Sequence, residues 1–348
     1  MKVQWSTIAD TSNQHGYSVI NDRFQRAFSD CGVEIVSPRS FDWDASVTFA
    51  LPLAWMVSTG KKDVTVREDM VYHTMFECTP LPQDWVSVLN RTGLVWSPSR
   101  YCTTLFRDSG VTRPIMTAGY GVNRDVFPYY DRSGRDGLFK FIVWNRGLVS
   151  RKNLLDCVKA FHLANLPKNE AIMEIKLNRG FGAPNFFWRD AQDERVPVDN
   201  VTFAASDDWS DGDLAWWLAS ADAMIYASKG EGFGLMPLEA GATGLPIICA
   251  YNTGMMDYLS SDVAYLIETE KMERSKEYSD RFGGDLYWCK PSIDQMVEHI
   301  RYVFYNREES LKTGKRFSQM AHKMTWEKAA IKAISQIKQY LANRTVSD

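Results

Sequence analysis

The sequence predicts an α/β protein built from two open, doubly wound domains facing one another across a cleft. Three observations carry this. Short apolar runs alternate with amphipathic segments along most of the chain, the pattern of βα units and parallel sheets. A polar, glycine-containing stretch, Asp131-Arg-Ser-Gly-Arg-Asp-Gly137, interrupts that alternation, after which it starts again. The chain is 348 residues long, which suits two domains better than one.

The elements follow in order. Lys2 to Ile8 reads as a strand, Asp10 to Gly16 as a loop, and Ser18 to Phe28 as a helix with Ile20, Phe24, Ala27 and Phe28 on one face. Short strands are expected near Glu34–Ser37, Val47–Ala50, Met70–Met75, Leu94–Trp96 and Ile115–Thr117. Between Ser97 and Gly110 lies a helix closed by its glycine. Past the polar stretch, strands are expected at Phe139–Trp144, Ile172–Leu177, Val201–Ala204, Ala223–Ala227, Pro246–Tyr251 and Ala264–Ile267. Helices are expected at Asn153–Ala164, Leu214–Ala221 and Met236–Ala242. From Lys315 to Leu341 the spacing of Trp326, Ala330, Ile334, Ile337 and Leu341 predicts one helix.

Composition bounds the function without naming it. Hydrophobic residues at 45% and charged residues at 24% exclude a disordered chain. The net charge is −3, and residues 1–135 hold 14 basic and 14 acidic side chains, so neither half offers the basic surface typical of nucleic-acid binders. Cys31, Cys78, Cys102, Cys157, Cys249 and Cys289 form no C-x-x-C pair, so reduced, mostly buried thiols are expected. No apolar run reaches membrane-spanning length and the first residues do not read as a secretion signal, which points to the cytoplasm.

The stretch richest in chemistry is Ser228-Lys-Gly-Glu-Gly-Phe-Gly-Leu-Met-Pro-Leu-Glu-Ala-Gly-Ala-Thr-Gly-Leu-Pro246. It follows an apolar strand, places glycines at 230, 232 and 234, and enters a helix with Pro237 near its first turn, where a missing N–H has no cost. Glycines let the backbone approach a ligand, and a helix start favours anions, so this reads as a phosphate or diphosphate cradle. Glu231 in the loop and Glu239, expected in the first helical turn, suit hydroxyl-rich groups on either side of the phosphates. A glycine turn with Glu239 complementing the helix dipole is the alternative. Two Asp-x-Asp pairs, Asp42-Trp-Asp44 and Asp211-Gly-Asp213, are read differently from metal ligands: the second precedes a helix and suits capping, and the first has no companion ligand. No metal is expected to be required.

Glu231 and Glu239, with seven residues between them, resemble the E-x7-E motif of family 4 glycosyltransferases. Gly244-Leu-Pro-Ile-Ile248 resembles the family's G-x-P-V-I segment. Arg146 and Lys152 in Trp144-Asn-Arg-Gly-Leu-Val-Ser-Arg-Lys-Asn153 resemble its basic pair, and Ala118-Gly-Tyr-Gly-Val-Asn-Arg-Asp-Val-Phe-Pro128 its segment before the domain crossover. Tyr72 to Trp85 and Val95-Trp-Ser-Pro-Ser99 are similar to acceptor-domain segments of one branch of the family. The resemblance implies the GT-B fold, two Rossmann-like domains across a cleft with a C-terminal helix packing back toward the first. The domains would be 1–133 for the acceptor, 134–314 for the nucleotide-sugar donor and 315–348 for the returning helix.

It also implies retaining transfer of a sugar from a nucleotide-diphosphate sugar to a hydroxyl, with no cofactor besides that donor. Arg146 and Lys152 would hold the diphosphate and stabilise charge growing on it. Glu231 would bind hydroxyls of the transferred sugar and Glu239 those of the ribose. Gly232, Phe233, Gly234 and Leu235 would lie along the donor, Phe233 and Gly234 giving backbone N–H groups. Gly16 would let the first βα loop approach the phosphate, although His15 stands where family members often carry a second glycine. His73 lies where the family often has an active-site histidine, a structural role being its alternative, and Glu77 would be an acceptor-side carboxylate. The expected acceptor is a glycan or glycolipid intermediate, with the enzyme in the cytoplasm or peripheral at the inner membrane face. A phage enzyme glycosylating modified DNA bases in the host cytoplasm is the alternative, and a nucleotide-sugar isomerase of the same shape is a further one.

Overall fold

Apolar strands hydrogen-bonded only to parallel neighbours must be covered on both faces, and here each half of the chain covers one such sheet with its own helices. The computed structural model describes residues 1–7, 16–49, 66–145, 150–177, 183–205 and 209–345. The chain forms two units, Met1–Gly121 with Arg274–Trp288 and Met324–Asp348, and Val122–Glu273 with Cys289–Lys323.

The first unit opens with β1 (Lys2–Thr7), α1 (Gly16–Asp30), β2 (Glu34–Val36), β3 (Ala45–Phe49) and β4 (Met70–His73). It continues with α2 (Gln83–Leu89), β5 (Leu94–Ser97), α3 (Arg100–Asp108) and β6 (Ile115–Thr117). The sheet order is β2-β1-β3-β4-β5-β6, all parallel. Every residue of β3, β4 and β5 is buried, as two covered faces require. The Ser99 hydroxyl caps α3 by accepting from the Cys102 N–H, and Gly110, at φ 106°, lets the chain turn away after it.

The second unit runs β7 (Phe139–Trp144), α4 (Leu154–Leu163), β8 (Ala171–Leu177), α5 (Ala183–Asp193), β9 (Val201–Ala205), α6 (Asp211–Ala219), β10 (Ala223–Tyr226), α7 (Leu235–Ala242), β11 (Ile247–Ala250) and β12 (Tyr265–Ile267). Its order is β12-β11-β10-β7-β8-β9, again all parallel. The chain builds outward from β7 in one direction, then returns to β10 and builds the other way. That reversal between β7 and β10 is where open α/β sheets bind ligands, outside the carboxyl ends of the strands.

Four places depart from the sequence reading. The polar stretch 131–137 lies within the second unit, since the chain passes from one unit to the other at Gly121–Val122. Arg132 in that stretch is only 4% exposed and bonded to backbone carbonyls. Second, β13 (Thr269–Arg274), α8 (Lys276–Phe282) and β14 (Tyr287–Pro291) form an excursion in which Arg274–Trp288 joins the first unit. There Tyr278 and Phe282 pack on Phe76 at 5.8 and 5.5 Å between ring centroids. Third, a helix intervenes at Ile293–Tyr305 (α9). Fourth, the tail is two helices rather than one, α10 (Arg307–Ala321) and α11 (Trp326–Thr345). Thr325 separates them by capping α11, its hydroxyl accepting from the Lys328 N–H at 3.2 Å.

In the first unit α11 packs on α1, with the Trp326 ring 5.1 Å from Phe24. In the second, α10 presses on α7 so closely that a Cβ on Gly314 would lie 2.2 Å from the Gly244 carbonyl oxygen. Gly314→Ala must push the helices apart. It is expected to cost about 1–3 kcal/mol, read as a lower urea midpoint at unchanged slope. Among the described residues no helix is long and apolar enough to cross a membrane, and the cysteines are free thiols.

Candidate active site

The site grows from the reversal point of the second sheet. After Tyr226 ends β10, the backbone runs through Ser228–Gly234 into α7, while β7 is followed, across the undescribed residues 146–149, by Ser150–Asn153 and α4. Gly234 adopts φ 85°, and a Cβ there would lie 2.4 Å from the Met255 side chain, so this turn demands glycine. Because Gly234 is the cap, α7 starts at Leu235 and Glu239 falls in its second turn, one turn later than expected. It is 4% exposed.

The loop is braced from beneath by residues that the sequence reading did not single out. The Tyr258 hydroxyl donates to the Gly234 carbonyl at 2.5 Å. Asn252 Nδ2 donates to the Ser228 carbonyl at 3.0 Å, and the Glu231 N–H donates to Thr253 Oγ1 at 2.9 Å. The Gly254 N–H donates to the Glu231 carbonyl at 2.9 Å, and a Cβ on Gly254 would strike the Gly232 carbonyl oxygen at 2.2 Å. Phe233 is buried with its ring 5.4 Å from Tyr258. The approach from 252 to 258 fixes the glycine loop in one shape.

Glu231 is the electrostatic centre. One carboxylate oxygen accepts from Lys152 Nζ at 2.5 Å, Ser228 Oγ at 2.7 Å, the Tyr226 hydroxyl at 2.8 Å and the Arg151 guanidinium at 3.2 Å. Burial alone would push this carboxyl up. Lys152 and Arg151, with the hydrogen bonds from Lys152 and Ser228, outweigh it and hold the group at about 2. Lys152 also donates to the Tyr226 hydroxyl at 2.7 Å, and burial drives that phenol well above its ordinary value. Arg151 joins Lys152 here, although the sequence pattern singles out only Lys152 of the Arg-Lys pair. Its guanidinium also donates to the Gly230 carbonyl at 2.5 Å. Two cations around one carboxylate leave the cluster with a net positive charge.

The structure thus gathers Glu231, Gly232, Phe233, Gly234, Leu235 and Glu239 along one loop and helix of the second unit, with Lys152 reaching Glu231 from the turn before α4. Arg146 lies outside the described residues. Gly16, His73 and Glu77 belong to the first unit, where Gly16 opens α1. His73 ends β4 completely buried, stacked 4.1 Å from Phe49 and with Nε2 3.2 Å from the Tyr120 hydroxyl. Burial lowers it to about 3, so it is a neutral imidazole at physiological pH. Glu77 accepts from the Tyr278 hydroxyl at 3.3 Å.

The Asp-x-Asp pairs have local partners. Asp42 pairs with Lys2, and Asp44 accepts from the Lys2 N–H. Asp213 forms a reciprocal capping box with Ser210 at the start of α6. Among the described residues no three His, Cys, Asp or Glu side chains gather as a metal site would need.

A family model described as "Family 4 Glycosyltransferase in conflict systems" matches residues 190–332, the part of the chain that carries Glu231 and Glu239. No curated protein sequence matches the chain. Solved structures match over nearly its whole length. Sucrose-phosphate synthase from Thermosynechococcus elongatus is 13% identical over 99% of this chain and 100% of that one, at TM-score 0.74. Anabaena HepE, solved with UDP-glucose, is 13% identical over 100% of both chains, at TM-score 0.66. WaaG, a glycosyltransferase involved in lipopolysaccharide biosynthesis, is 14% identical over 96% and 99%, at TM-score 0.62.

The fold is GT-B, that of the glycosyltransferases among these structures. Residues 190–332 carry the match to the family 4 glycosyltransferase model.

Proposed function

We propose that the protein transfers a sugar, with retention, from a nucleotide-diphosphate sugar to a hydroxyl of a glycan or glycolipid. The observation that carries this reading is the buried Lys152–Glu231–Arg151 cluster against a rigid glycine loop at the reversal point of a parallel sheet. A carboxyl held at about 2 is ionised at neutral pH and cannot act as the general acid that a glycosidase needs. It can accept hydrogen bonds from sugar hydroxyls. Lys152, with Arg146, supplies positive charge to the diphosphate as the bond from the sugar carbon to the phosphate oxygen breaks. The departing diphosphate then takes the acceptor's proton, so neither a carboxylate nucleophile nor a metal is required.

Backbone N–H groups of Phe233 and Gly234 complete the phosphate side, and Glu239 takes the ribose hydroxyls. We assign Glu77 to the acceptor side within the first unit, where His73 is a completely buried neutral imidazole stacked on Phe49. The UDP-glucose bound by HepE supports a UDP-sugar donor, and WaaG's place in lipopolysaccharide biosynthesis supports a saccharide or glycolipid acceptor.

Labelled UDP-, GDP- and dTDP-sugars offered with glycan, lipid, DNA and protein fractions test this directly. Label is expected in the glycan or lipid fraction with the donor's anomeric configuration kept. Label appearing in DNA would overturn the acceptor, and an inverted product would overturn the retaining mechanism.

A further inference from the structure

Asn145 follows the last residue of β7 and is 1% exposed, and among the described residues neither its Nδ2 nor its Oδ1 has a hydrogen-bond partner. Its backbone N–H is satisfied by the Lys176 carbonyl at 3.0 Å, so the orphaned groups are those of the side chain alone. Burying a carboxamide with nothing to bond is costly, and an apolar residue of equal size would fill the same space without that cost. A native orphan of this kind asks for an occupant that completes it.

Its place in the sheet says where that occupant lies. β7 is paired with β10 on one side and β8 on the other, and Asn145 stands at its carboxyl end, at the reversal point. Phe139, Phe141 and Val143 pack in the core with Leu154, Cys157 and Val158 of α4. Strand alternation puts residue 145 on that same face, at the level where α4 begins. There Asn153, 4% exposed and left-handed at φ 57°, precedes α4 with its own Nδ2 unpartnered. The unsatisfied Asn145 carboxamide and the unpartnered Asn153 amide nitrogen therefore flank the segment that ends in Lys152.

We infer that the Asn145 carboxamide is a donor-binding group, completed by a part of the nucleotide-sugar that both gives and accepts hydrogen bonds. This rests on the donor reading above. Phosphate oxygens only accept, and would leave Oδ1 unmet or repelled. A sugar hydroxyl or a nucleobase edge satisfies both atoms.

The test compares wild type with Asn145→Leu, matched in shape, and Asn145→Ser, which retains folding should the leucine not be accommodated. Thermal midpoints are measured without ligand, and UDP and UDP-glucose binding by calorimetry, with GDP- and dTDP-glucose completing the wild-type panel. Asn145→Leu is expected to keep or raise the ligand-free midpoint while weakening donor binding about tenfold, since the lost partners are the ligand's. Weakening of UDP-glucose alone assigns the contact to the sugar, and equal weakening of UDP assigns it to the nucleotide. Donor affinity within twofold of wild type in either folded variant overturns the inference. A wild type that binds no member of the panel instead overturns the donor reading, and this inference with it.

Discussion

Lys152→Ala is expected to lower kcat on the order of 10²- to 10³-fold, because it removes a buried cation from the position where leaving-group charge develops. The same change acts on Glu231. Lys152 is the strongest of the influences holding that carboxyl at about 2, and without it Arg151 at 3.2 Å remains as the nearby cation. The Glu231 carboxyl must then rise toward its ordinary range.

That shift has a definite signature in stability. In the wild type the folded value lies below the ordinary 4.5. The carboxylate's contribution is therefore fully present above pH 4.5 and lost as pH falls through about 2. The contribution is on the order of 3 kcal/mol at neutral pH. In Lys152→Ala less of that contribution exists to lose, so urea midpoints of variant and wild type differ most above about pH 4.5 and converge as pH falls toward 2. Wild-type turnover by a folded Lys152→Ala would remove Lys152 from the donor site.

What the sequence makes legible follows the range of the interactions involved. Strands such as Phe139–Trp144 and the capped helix after Ser99 are written locally, in apolar runs and turn residues, and they stand where periodicity puts them. The glycine loop is legible because Gly234 answers a constraint of the loop's own backbone, a left-handed turn at φ 85°. The brace from Asn252 to Tyr258 is not legible, since its bonds join residues 22 to 24 positions apart with no spacing rule between them. Arg151 is not legible because nothing local separates it from Lys152. The tail reads as one helix because helical spacing continues across His322–Thr325, and only the Thr325 cap marks the break. Likewise Arg274–Trp288 reads as more of the second domain, because its packing on Phe76 is fixed by contacts made far along the chain.

Arg132 shows the same limit, and it carries the largest expected effect on stability. By composition Asp131–Gly137 is a solvated segment, yet the Arg132 guanidinium donates to carbonyls 86 to 111 residues away. Its Nε bonds the Ala221 carbonyl at 3.0 Å, and its terminal nitrogens bond those of Leu218 at 2.9 Å and Thr243 at 2.7 Å. Those carbonyls lie at the carboxyl ends of α6 and α7, where unsatisfied oxygens and helix dipoles both favour a cation. One side chain thus closes two helices, including the one that starts at Gly234. Burial opposes this by making the charge costly, lowering the group to about 10.

The size of the effect of Arg132→Met depends on what those carbonyls keep. Ala221 still accepts from Arg135 at 2.8 Å, and Thr243 from the Tyr130 N–H at 3.0 Å. The cost is therefore expected at about 2–4 kcal/mol, short of what several fully orphaned acceptors would imply. Urea unfolding would read it as a lower midpoint. Arg132→Lys, with one nitrogen to reach two helix ends, should recover only part of the loss. Turnover well below the melting temperature should stay within about threefold of wild type. The opposite end of α7 is held independently by the Tyr258–Gly234 bond and the close approach of Gly254 to Gly232. A large fall in kcat at full folding would mean that the carboxyl end of α7 governs Glu239 as well, and that the brace beneath the glycine loop is not sufficient by itself.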